Sequence, residues 1–105
     1  MGYNGVVEIR ETDHFSSWLK SLKDMRSKAR ILYAITKCER ASRMVGDIKA
    51  VGGVHEIRLH FGPGYRLYYA QHGKTLVWLL AGGDKSTQSR DIKLAKRLAK
   101  EFAEG

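Results

Sequence analysis

Apolar residues change their spacing as the chain proceeds, and each change marks an element. Val6-Val7-Glu8-Ile9-Arg10 alternates as a first strand does. Thr12 or Asp13 can cap the helix after it, because either side-chain oxygen accepts from a free backbone N–H. Phe15, Trp18, Leu19 and Leu22 then fall at i, i+3, i+4 and i+7, one apolar stripe on a helix. A second helix over 26–43 turns Ile31, Ala34, Ile35, Cys38 and Ala41 to one side. Beyond it, Gly46, Gly52, Gly53, Gly62, Pro63, Gly64 and Gly73 cut the chain into short pieces, predicting strands over 47–50, 54–61, 65–71 and 75–82. Gly62-Pro63-Gly64 and Gln71-His72-Gly73-Lys74 read as hairpin connections. Leu76 to Ala81 is apolar on both faces, as a central strand is. Ser86 or Thr87 can cap a last helix, 88 to 102, that turns Ile92, Ala95, Leu98, Ala99 and Phe102 inward. The order is β-α-α-β-β-β-β-α without repeats. It defines one α+β domain over 1–105, a twisted, mostly antiparallel sheet packed by helices.

Strand parity then assigns faces. Ile57, Leu59 and Phe61 share the core face with Leu67 and Tyr69, leaving Glu56, Arg58, His60, Arg66 and Tyr68 on the opposite face, expected to be solvent-exposed. On that reading the loss of Arg66 leaves the fold intact.

Composition narrows the class. The chain has 105 residues, 43% hydrophobic and 29% charged, which excludes disordered, collagenous and membrane-spanning classes. Its longest apolar run, Leu76 to Ala81, is far short of the roughly 20 residues of a membrane span. Residues 1–5 carry neither a basic nor an apolar leader, and the single cysteine, Cys38, fits a reducing compartment, so a cytoplasmic location without a membrane partner is expected. Cys38 itself reads as a small core residue on the apolar face of its helix. The net charge of +8 is less ordinary, and residues 15–43 carry +6 of it. Arg26, Arg30, Tyr33, Lys37 and Arg40 follow at spacings of 4, 3, 4 and 3 and share one helix face, a basic ridge with a stacking tyrosine suited to RNA or DNA. Lys49 joins these five as an expected RNA contact.

Two familiar motifs fail on spacing. His55 and His60 are one residue too far apart for H-E-x-x-H, and on a strand they point to opposite faces, so no metal site is expected. Ala81-Gly82-Gly83-Asp84-Lys85-Ser86 lacks the spacing of a phosphate-binding loop, and no cofactor is expected. The Glu56/Arg58/His60/Arg66/Tyr68 face instead suits phosphodiester chemistry. RNA cleavage by its own 2′-hydroxyl needs a base, cations for the pentavalent phosphate and an acid for the leaving 5′-oxygen; Lys85, beside a helix N-terminus, offers one further cation.

Four segments follow in order: Gly46-Asp47-Ile48-Lys49, Gly53-Val54-His55-Glu56-Ile57-Arg58, Gly62-Pro63-Gly64-Tyr65-Arg66-Leu67-Tyr68-Tyr69 and Leu79-Leu80-Ala81-Gly82-Gly83-Asp84-Lys85-Ser86-Thr87-Gln88. Across nearly the whole chain this resembles the RelE/ParE superfamily of type II toxins, in the addiction module killer branch related to HigB. The resemblance implies a cognate antitoxin, and the RelE-like members cleave mRNA in the ribosomal A site without metal. It makes Arg66 the phosphate-stabilising arginine after Gly-Tyr, and aligns Glu56 and Arg58 with the two lysines of RelE's preceding strand. A glutamate base is a feature of the related YoeB group. Ile92 falls where RelE has its catalytic tyrosine, which leaves Tyr68, His60 and Lys85 as candidate acids. ParE relatives share the fold and inhibit gyrase, so a non-enzymatic gyrase inhibitor is the alternative, as is a degenerate toxin that only binds antitoxin or nucleic acid.

Overall fold

The computed structural model of the protein describes residues 6–102; residues 1–5, read above for a leader, lie outside the described residues. The elements are β1 (Glu8–Glu11), α1 (Asp13–Ser21), α2 (Met25–Ala41), β2 (Asp47–Ala50), β3 (His55–Arg58), β4 (Arg66–His72), β5 (Leu76–Gly83), a 3₁₀ turn (Lys85–Thr87) and α3 (Gln88–Phe102). The strands lie in the order β1-β5-β4-β3-β2. β1 runs parallel to β5, and the other neighbours are antiparallel. The doubly apolar β5 is thus flanked on both sides, as its sequence requires. The α+β fold class and the element order are those expected.

Helices cover both faces of the sheet. On one face Phe15 and Ile31, from α1 and α2, are buried against Ile57, Leu67, Tyr69, Val77 and Leu79, with Trp18, Leu19 and Leu22 packed beside them. On the other, Ala95 and Leu98 of α3 close over Val54, Tyr68, Ala70, Leu80 and Ala81. Thr12, not Asp13, caps α1: its hydroxyl accepts from the Phe15 N–H at 3.1 Å and donates to the Leu80 carbonyl at 2.6 Å. That tie fixes where α1 leaves β1. Cys38 is fully buried, with its sulfur against the backbone of Val45.

Several expectations need correcting. The face carrying Glu56, Arg66 and Tyr68 is not exposed; α3 lies over it, and these residues are 0%, 8% and 0% exposed. β3 ends at Arg58 rather than 61, because beyond it only the Leu59 N–H to Tyr65 carbonyl bond remains before the chain turns. Ala41 is exposed, since α2 stops there, with Ser42 in the left-handed conformation. The last helix is not capped by Ser86 or Thr87: Asp84 caps the 3₁₀ turn that leads directly into α3. Finally, Tyr68 pairs with Ala81 but Tyr69 with Leu79, so Leu80 is an extra residue in β5. After this bulge the parity of β5 reverses. Ala81 joins Leu80 on the α3 side, Gly82 turns to Trp18, and Gly83 to Asp91.

Candidate functional site

β3 and β4 carry the site. Their register sets Arg58 directly beside Arg66, and Glu56 beside Tyr68. Like charges opposed across two strands repel, so a cation pair there needs a reason. Arg58 has its own counter-ion: Nη2 donates to Asp47 Oδ1 at 3.0 Å, and His60 Nε2 meets Asp47 Oδ2 at 2.6 Å. The Arg58 contact, then that of His60, holds the Asp47 carboxyl below the usual carboxylate range. The same carboxylate raises the pKa of the Arg58 guanidinium.

Arg66 is different. It is 8% exposed, yet it makes no hydrogen bond or ion pair among the described residues, and its Nε is buried and unpartnered. The guanidinium faces a cleft of about 560 Å³ whose walls include Arg58, His60, Gly62, Gly64 and Lys85. Only Nε is shut off from water; the rest of the guanidinium is solvated from the cleft side alone, so the charge is desolvated in part without a protein counter-ion. The Lys85 stem runs over Gly64, within 3.6 Å of where a β-carbon would stand. The helix end beside Lys85 adds nothing to the cleft, because Asp84 already accepts from the Ser86 N–H at 2.8 Å. What Lys85 adds to the cleft lining is its own side chain.

Glu56 and Tyr68 lie outside this cleft lining, beneath α3. Gln88, the first residue of α3, donates from Nε2 to Glu56 Oε2 at 2.9 Å, while Glu56 Oε1 and the Tyr68 hydroxyl make no well-formed hydrogen bond among the described residues. Burial, and after it the neighbouring Glu56 carboxylate, pushes the Tyr68 phenol well above its ordinary pKa, so it stays protonated. Arg26, Arg30, Tyr33, Lys37 and Arg40 are all exposed on α2; Lys49 is also exposed but stands apart on β2, paired with Glu56. Sequence reasoning gave no role to Asp47 or Gln88. The signal for Asp47 was its place opposite Arg58 in two adjacent antiparallel strands, and Gln88 gave none.

The Asp47 link has a pH signature. A carboxyl depressed in the folded state contributes stability that is complete above its unfolded value of 3.8 and is lost as pH falls through the lower folded value. Asp47→Asn should therefore flatten the melting temperature between pH 2 and about 4 relative to wild type. Parallel curves over that range would show that Asp47 adds nothing to stability.

A mixed five-stranded sheet between two helical layers makes this a small α+β protein, and a cleft lined by Arg58, Arg66 and Lys85 lies at one end of it. The fold is that of a double-arginine variant of the E. coli toxin RelE in the free state: the TM-score is 0.63 at 17% identity, over 84% of this chain and 96% of that one. Residues 17–101 match the phage-derived Gp49-like proteins (DUF891), and the chain belongs to that family. An uncharacterized protein of Haemophilus influenzae is 47% identical over 98 residues, spanning 92% of this chain and 97% of the relative. Among the described residues no helix is long and apolar enough to cross a membrane.

Proposed function

We propose that this protein is the toxin of a type II toxin–antitoxin module, of the HigB-related addiction module killer kind, and cleaves mRNA on the ribosome. The observation that carries the reading is Arg66, a buried and unpaired cation beside Arg58 and on the lining of the same cleft as Lys85. A phosphodiester supplies the missing anion, and its charge rises in the pentavalent transition state, where such cations act most strongly. The cleavage itself moves two protons. A base takes the 2′-hydroxyl proton, the 2′-oxygen bonds to phosphorus, and the 5′-oxygen leaves with a proton from an acid, giving a 2′,3′-cyclic phosphate. His60 is the exposed proton acceptor on the cleft wall. With Asp47 ionised, its Nε2–H donates to the carboxylate and Nδ1 is left to accept. Lys85, on the lining of the same cleft, supplies the proton to the leaving oxygen. Glu56, held by Gln88, and Tyr68 lie under α3 on the same sheet face and take no direct part in the proton transfers.

The exposed face of α2 supplies contacts to ribosomal RNA in this account. Replacing Arg30, Lys37 and Arg40 together with glutamate should weaken ribosome binding and make its salt dependence shallower. Each lost phosphate contact removes roughly 0.9 from the log–log slope. Affinity and slope both unchanged would leave the ridge a solvated face. The partner in the cell is an antitoxin whose acidic segment covers the cleft or wedges α3 aside. Induction followed by primer extension on cellular mRNA tests the function: cuts that require translation support the enzyme, whereas a DNA-damage response over intact mRNA points to gyrase.

A further inference from the structure

A second groove, of about 410 Å³, runs between α2 and the end of β3. It shares Arg58, Leu59, His60 and Phe61 with the anion cleft, so the two hollows adjoin along this segment. The groove is both cationic and flat-walled. Arg30 lays its guanidinium over the Phe61 ring, 4.0 Å from the centroid. The ring is backed in turn by Tyr65 at 5.6 Å. An arginine held against an aromatic plane is already oriented, and because Arg30 is exposed, its second face is open to the groove. Tyr33, nearly a turn along α2, is 59% exposed, with the Lys37 ammonium 5.6 Å from its ring. Among the described residues the one carboxylate on the groove wall is Asp47, which is already engaged by Arg58 and His60.

Single-stranded nucleic acid demands this combination: cations tracking the phosphates and planar surfaces for base faces. We propose that the groove is a nucleobase subsite, in which one base of single-stranded RNA stacks on Arg30 and Tyr33 while an adjoining phosphate reaches Arg58 and Arg66. The inference rests on the cleft being a phosphate site, and adds the surface that reads the neighbouring base.

The test compares a short single-stranded RNA with the same backbone carrying abasic riboses, by fluorescence anisotropy at low salt. Wild type should bind the base-bearing RNA about tenfold more tightly or better. Tyr33→Ala, which leaves the charge unchanged, and Arg30→Lys, which keeps charge but loses the plane, should each cut that advantage severalfold while leaving abasic affinity within about twofold. Equal affinity of wild type for the two RNAs would overturn the subsite, as would an advantage that survives both substitutions. Arg66→Met should weaken both RNAs alike. If it weakens neither while the base advantage persists, the phosphate reading fails and the base subsite stands; failure to bind either RNA overturns both.

Discussion

Replacing Arg66 with methionine should abolish growth inhibition and raise the melting temperature at once. The two effects have one origin. Arg66 is 8% exposed, unpaired among the described residues and set beside Arg58 across the strand pair, so its charge destabilises the free protein. Methionine keeps much of the stem's packing and removes the charge. Replacing a buried ion pair by apolar groups of similar volume is often neutral or stabilising by about 1–4 kcal/mol, and a cation without a paired carboxylate has less Coulomb attraction to lose. For a domain near 100 residues, each kcal/mol is about 4–8 °C. Loss of a charge-assisted contact made in the transition state should cost on the order of 100-fold in rate or more. Thermal melts and induction of the variant read the two arms separately. A folded Arg66→Met protein that stays fully toxic would remove Arg66 from the site, and a strongly lowered melting temperature would show that its charge is structurally satisfied.

Gly83→Ala should be among the most destabilising single changes in the chain. A β-carbon at Gly83 falls onto the Asp91 carboxylate and 2.8 Å from the Thr87 hydroxyl. Neither can swing away: Asp91 is 3% exposed and accepts from Thr87 at 2.5 Å, which locks the first turn of α3. Making room lifts that turn and pulls Gln88 off Glu56, so a packing clash is joined by one buried carboxylate losing its partner. Overpacking alone costs about 1–3 kcal/mol, and a stripped buried carboxylate adds about as much. The melting temperature should fall by roughly 10 °C or more. A shift below about 4 °C would mean that α3 is free to move, and that Gln88 does not fix Glu56.

The same residues show what sequence can carry. Phe15, Trp18, Leu19 and Leu22 announce α1, and the strands from Asp47 onward fall near their expected places, because helix and strand periods are local properties. Parity also correctly grouped Glu56, Arg58, Arg66 and Tyr68 on one face of the sheet. What it could not supply is a lid. Whether a face meets water depends on where α3 docks, a contact between segments some thirty residues apart in the chain. The hint was present in α3 itself, whose Ile92, Ala95, Leu98 and Phe102 stripe needed a sheet face to cover. The Leu80 bulge was hidden for a different reason: an all-apolar strand shows no break in alternation when one residue is inserted. Gly82 and Gly83 read as one motif but serve two layers, Trp18 on one side and Asp91 on the other.

The most direct measurement places the purified protein with ribosomes programmed with a defined mRNA and maps the RNA ends. Cleavage within the A-site codon should appear with wild type, leave 2′,3′-cyclic phosphate ends and vanish with Arg66→Met, while the same mRNA free of ribosomes stays intact. Intact A-site mRNA in the presence of folded wild-type protein, or cleavage undiminished by Arg66→Met, would contradict the account.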